Sequence, residues 1–135
     1  MYECGERMSD VSAVAQTCLA YDGRHDEALL VYSFKDDNDA HDDALQERLW
    51  TEFRQTWLTA TAELEKKFGP AVIAEKMEET RWVPLCGVGG VSSWKTDCGL
   101  LWIAYAHEDR ECPFLLLVGK LPLFAMPVFL PPLES

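Results

Sequence analysis

DDALQERLWTEFRQTWLTATAELEKKFG, residues 42–69, is the stretch whose reading decides the fold. Leu45, Leu49, Phe53, Trp57, Ala60, Leu64 and Phe68 recur at spacings of three and four, which places them on one face of a helix. Gln46, Glu47, Arg48, Glu52, Arg54, Glu63, Glu65 and Lys66 lie between them as a solvated back. Aspartates precede the first apolar residue, where a carboxylate accepts free backbone N–H groups and faces the positive end of the helix dipole. Lys66 and Lys67 occupy the last turn, Gly69 is placed to end the helix in a left-handed conformation, and Pro70 blocks its continuation. An aromatic stripe this long needs a partner surface, and the second half of the chain supplies strands for one.

Working outward, residues 71–79 (AVIAEKMEE) fit either a short helix or the lead into a strand. Residues 81–88 (RWVPLCGV) have strand composition, with Pro84 placing them at an edge or bulge. The GVGG of residues 87–90 is followed by VSSWKTDCG, which does not open a helix, so it reads as a turn or bulge rather than a phosphate cradle. Residues 99–106 (GLLWIAYA) are the clearest strand, and residues 113–118 (PFLLLV) return across the polar connection HEDREC. The tail from residue 120, KLPLFAMPVFLPPLES, is apolar but broken by prolines, which excludes an ordinary membrane span and suits an extended arm.

Upstream, residues 8–20 (MSDVSAVAQTCLA) form a candidate helix capped by Ser9 or Asp10, with Val11, Val14, Ala15 and Cys18 sharing a face. Asp22-Gly23 marks a turn, and residues 27–34 (EALLVYSF) read as a strand. Both of its faces are apolar, which predicts a position inside the sheet or covered on both sides. The fold expected is α+β in two layers: an antiparallel sheet of four to five strands with the 42–69 helix packed on one face. At 135 residues the chain fits a single domain, with residues 1–8 and 122–135 as extended arms.

A formal net charge of −11 and 48% apolar residues describe an acidic chain with a real core. Such a charge excludes binding by phosphate neutralisation and disfavours an anionic membrane surface, so neither nucleic acid nor membrane is an expected partner. The natural electrostatic partner is a basic protein. Cys4, Cys18, Cys86, Cys98 and Cys112 contain no C-x-x-C, and the N-terminal MYECGERMSD has no apolar leader, so reduced thiols in a cytoplasm are the simplest expectation.

Residues 35–43 (KDDNDAHDD) are the most acidic run. Counting a calcium loop from Asp36 puts Glu47 at the twelfth position, but Ala40 and His41 occupy the fifth and sixth, so that pattern fails. What remains is a capping loop that doubles as a docking patch: Asp36, Asp37, Asp39, Asp42 and Asp43 supply the field and Trp50 the anchor. The cluster His107, Glu108, Asp109, Glu111 and Cys112 reads as a solvated turn. Metal ligation by Cys98, His107 and Cys112 has no supporting spacing. No cofactor, metal ligand set or catalytic residue is assigned. The function expected is a non-enzymatic acidic binding protein that neutralises a basic protein partner, in the manner of an immunity protein blocking a toxin. Two alternatives stand beside it: a homodimeric chaperone or scaffold joined through the C-terminal tail, and a small thiol enzyme using Cys86 with His107 as base.

Overall fold

A computed structural model describes residues 10–122 of the chain. The arms expected at 1–8 and 122–135 fall outside this range, apart from Pro122. Helix α1 (Val11–Leu19) starts at Asp10, whose carboxylate accepts the Ala13 N–H at 3.1 Å. Strand β1 (His25–Tyr32) follows, then a single helical turn α2 (Asp37–Ala40) inside the acidic run. The long helix α3 (Asp43–Phe68) lies within the span expected, flanked by Asp42 and Gly69 as its caps. Gly69 combines φ 88° with ψ −172°, an extended positive-φ backbone rather than the left-handed helical one, and a region open essentially to glycine. The chain is thereby thrown sideways into β2 (Val72–Ala74), which precedes α4 (Met77–Thr80), β3 (Val88–Thr96), β4 (Gly99–His107) and β5 (Phe114–Leu121).

The five strands form one antiparallel sheet in the order β1-β5-β4-β3-β2. Strands β2 to β5 are a meander, and β1 closes onto the last strand. Of the two positions expected for the first strand, the one inside the sheet is corrected: β1 is an edge. Its apolar residues on the helix side are covered by α1 rather than by neighbouring strands on both sides. A second correction concerns residues 81–88. They are turns and bends up to Gly87, and the strand begins at Val88 and runs to Thr96. A register shift between Val88 and Gly90 makes the glycine run a bulge, as one of the two expected readings had it.

The sheet is two-layered with the long helix on one face. Leu49, Phe53, Trp57, Ala60 and Leu64 are fully buried and meet Trp94, Leu101, Ile103, Tyr105, Phe114, Leu116 and Val118. Leu45 and Phe68, at the ends of the stripe, are half-buried. The Trp57 indole N–H donates to the Ile103 carbonyl at 3.0 Å, which fixes the ring across β4. The glycine pair admits the aromatic rings: a methyl group on Gly90 would lie 2.7 Å from the Trp57 ring, and one on Gly89 2.5 Å from Tyr105 and 2.8 Å from Trp50. Beneath the sheet, Val83, Val91, Leu100, Trp102, Ala104, Leu117 and Leu121 make a second apolar cluster, so β4 is buried along its whole length. Among the described residues, no helix is long and apolar enough to cross a membrane.

Candidate functional site

The acidic run is divided between caps and surface. Asp36 accepts the Asp39 N–H at 2.9 Å to start α2, and Asp42 accepts the Leu45 N–H at 3.2 Å to start α3. Asp37 is exposed and Asp39 half-exposed, each in the first turn of α2. Asp43 is paired with Arg110 at 2.6 Å, which couples it to the β4–β5 connection. Gln46, buried beneath, donates to the carbonyls of Ala40 (2.8 Å) and Arg110 (3.1 Å), and His41 meets Glu111 at 3.2 Å. Two acidic segments far apart in sequence thus become one surface, because the β4–β5 hairpin ends beside the start of α3. Glu108, Asp109 and Glu111 join the aspartates there, with Arg110 and His41 paired into the acidic surface.

Between these segments lies an open cleft of about 500 Å3, lined by Asp43, Gln46, Glu47, Trp50, His107, Glu108, Asp109 and Arg110. Its floor is aromatic. The His107 ring stacks on Phe114 (centroids 3.7 Å, 11°), and Trp50 stands edge-on to His107, Tyr105 and Phe114 at 5.3–5.8 Å. Trp50 is thus half-buried and clamped, a wall of the cleft rather than a free-standing anchor. His107 is 8% exposed, and its Nε2 has no hydrogen-bond partner among the described residues. Burial pushes its pKa below the ordinary 6.5, against opposing contributions from backbone hydrogen bonds at Cys112 and Arg110 and from the Asp109 charge. At neutral pH the cleft therefore offers carboxylates at its rim and an uncharged imidazole at its base. That arrangement suits a cationic hydrogen-bond donor and disfavours an anion.

Cys86 lies elsewhere. It is exposed in a second cleft of about 560 Å3, among Val83, Pro84, Leu85, Ala106, Glu108, Cys112, Pro113 and Leu115. Ala106 and Leu115 belong to the sheet face opposite the long helix, whereas the His107 ring is stacked on the helix side. Only backbone joins the two: His107 N–H donates to the Gly87 carbonyl at 2.9 Å. The imidazole is thus not delivered to the Cys86 thiol, and no other histidine lines that cleft. Cys98 sits in the β3–β4 turn, at the other end of β4 from His107, so Cys98, His107 and Cys112 do not converge.

One cluster escaped the sequence reading. Cys18 on α1 and His25 and Glu27 on β1 bring their ligand atoms within 4.8 Å of one another. The only signal was His-x-Glu, which on a strand puts both side chains on one face. Tyr21 stacks on His25 (3.6 Å, 10°), and His25 Nε2 is 2.9 Å from Glu27 Oε2. The Cys18 thiol donates to the Val118 carbonyl at 3.6 Å and is pushed up to about 12, first by burial, then by the charges of Glu27 and Asp26. Comparison of the chain with protein-family models, curated proteins and solved structures finds no match.

Proposed function

We propose that this is a non-enzymatic acidic binding protein that neutralises a basic protein partner, in the style of an immunity protein occupying the cationic site of a toxin. The observation carrying this reading is the cleft that joins the two acidic segments over the Trp50–His107 floor. A lysine or arginine side chain entering it would meet Glu47, Glu108 and Asp109 at the rim and the Trp50 ring as a cation–π wall, over the buried His107 ring. Asp36, Asp37, Asp39 and Asp42 lie outside the cleft and supply the steering field, which raises association rates and rejects like-charged competitors. The thiols fit a protein working in a reducing cytoplasm.

The test is capture of basic proteins on the immobilised full chain at low salt, followed by elution with rising salt. The same capture is run with the variant Glu47→Lys/Glu108→Lys/Asp109→Lys. The reading expects a cationic protein released by salt and not retained by the variant. Salt-insensitive retention, or equal retention by the variant, would refute it. The thiol-enzyme alternative gains nothing from the geometry around Cys86, and the tail on which the dimer alternative rests lies outside the described residues.

A further inference from the structure

We propose that Cys18, His25 and Glu27 form a three-ligand site for a zinc-class divalent ion, at the corner where α1 crosses the β1–β5 edge of the sheet. The donor set is the first argument. A thiolate, an imidazole and a carboxylate together select borderline-soft transition metals over magnesium or calcium, which take oxygen alone.

Geometry is the second. Ligand atoms around a tetrahedral zinc stand about 3.3–3.7 Å apart, given bonds of about 2.3 Å to sulfur and about 2.0–2.2 Å to nitrogen and oxygen. The His25–Glu27 contact at 2.9 Å has to open slightly, and Cys18 Sγ, within 4.8 Å of both, has to close. Each change is on the order of 1 Å, from 2.9 Å upward and from at most 4.8 Å downward. The ligands also come from rigid elements: Cys18 from the last turn of α1, the other two from alternate positions of β1. Tyr21 stacked on the imidazole holds its ring plane, as a neighbouring group does around an ordered metal ligand.

Charge is the third. Two ligand anions compensate a divalent cation, and Asp26 adds a further negative charge nearby. Lys120 faces His25 across the strand pair, and Arg24 beside His25 is exposed. The Lys120 ammonium is committed to the carbonyls of Leu19 and Tyr21 rather than to the ligand atoms. On binding, the S–H bond of Cys18 breaks, its proton leaves to solvent, and the sulfur lone pair goes to the metal, with no change of oxidation state. Glu27 and His25 are partly exposed and face solvent, giving the ion its entry path and leaving a fourth position for water or an incoming ligand.

The experiment is a titration of the chelator-stripped, reduced full-length chain with Co2+ alone, followed by displacement with Zn2+. Expected is a 1:1 thiolate-to-cobalt charge-transfer absorption, abolished in Cys18→Ser and retained when Cys4, Cys86, Cys98 and Cys112 are all replaced by serine. Absence of the band, or a band that survives Cys18→Ser, would overturn the site. Should Cys18→Ser not fold by circular dichroism, His25→Gln and Glu27→Gln decide, since both alter partly exposed side chains. Each is expected to weaken zinc binding by more than the roughly 10–100-fold typical of outer-shell partners, and unchanged affinity in both overturns the proposal.

Discussion

Gly90→Ala tests the contact between the long helix and the sheet with a single methyl group. The added carbon would meet three atoms of the Trp57 ring at 2.7, 3.0 and 3.1 Å, all closer than side-chain carbons pack. The ring has little room to retreat, because its N–H is bonded to the Ile103 carbonyl and it is fully buried. Forcing an extra carbon into a filled core costs about 1–3 kcal/mol. Replacing glycine also restricts the unfolded chain, which returns about 0.4–1 kcal/mol. The expected net loss is about 1–2 kcal/mol, and with a urea dependence of about 2 kcal/mol per molar the unfolding midpoint falls by about 0.5–1 M. The control is a double-mutant cycle with Trp57→Phe, which removes the part of the indole nearest Gly90. On that background Gly90→Ala is expected to be neutral or stabilising, a coupling of about 1 kcal/mol or more. A midpoint unchanged by Gly90→Ala alone, or lowered equally in both backgrounds, would refute the idea that the glycine exists to admit the tryptophan.

Two further outcomes follow from buried polar groups. The Thr61 and Ser92 hydroxyls, 2.8 Å apart and buried, join α3 to β3. Thr61→Val is expected to cost about 1–3 kcal/mol in urea unfolding by stranding Ser92, and adding Ser92→Ala should recover most of it; a neutral Thr61→Val contradicts this. For His107 the folded pKa lies below the unfolded 6.5, so on acidification the unfolded chain takes up the proton first. Its contribution to stability is complete above about pH 6.5 and is lost as pH falls through that value towards the folded one. The urea midpoint should therefore drop more steeply between neutral and mildly acid pH in the parent than in His107→Gln, and parallel profiles would sink the assignment.

What was legible in the sequence was what period and caps encode. The α3 stripe announced itself because Leu49, Phe53, Trp57 and Leu64 are both periodic and buried, and because Asp42 and Gly69 mark its ends chemically. The β4–β5 hairpin was legible for a similar reason, an apolar run on either side of a short charged connection. Strand β3 was not, because GVGGVSSWKT fits what lies above it: glycines where aromatic rings press on the sheet and Ser92 where the Thr61 hydroxyl needs a partner. Local β-propensity loses to that tertiary demand. Strand β1 misled in the other direction, since an edge strand sheltered by a helix carries the same apolar run as an interior one. The five aspartates and Trp50 were visible as a stretch. The cleft they share with Glu108, Asp109 and His107 depends on a hairpin turn meeting a helix start, which no local pattern records.

The closure of β1 onto β5 has a consequence for the order of events during synthesis. The Lys120 ammonium reaches back 101 residues to the Leu19 carbonyl, and the Trp57 indole waits for a partner 46 residues downstream. A nascent chain can wind the long helix soon after residue 68 leaves the ribosome, but the sheet face its aromatic stripe packs on is not complete until the last strand has emerged. Contacts of this separation make folding slow relative to helical bundles of the same size. During that interval the stripe is an exposed apolar ridge, the kind of surface that holdase chaperones engage and that drives aggregation when they are scarce.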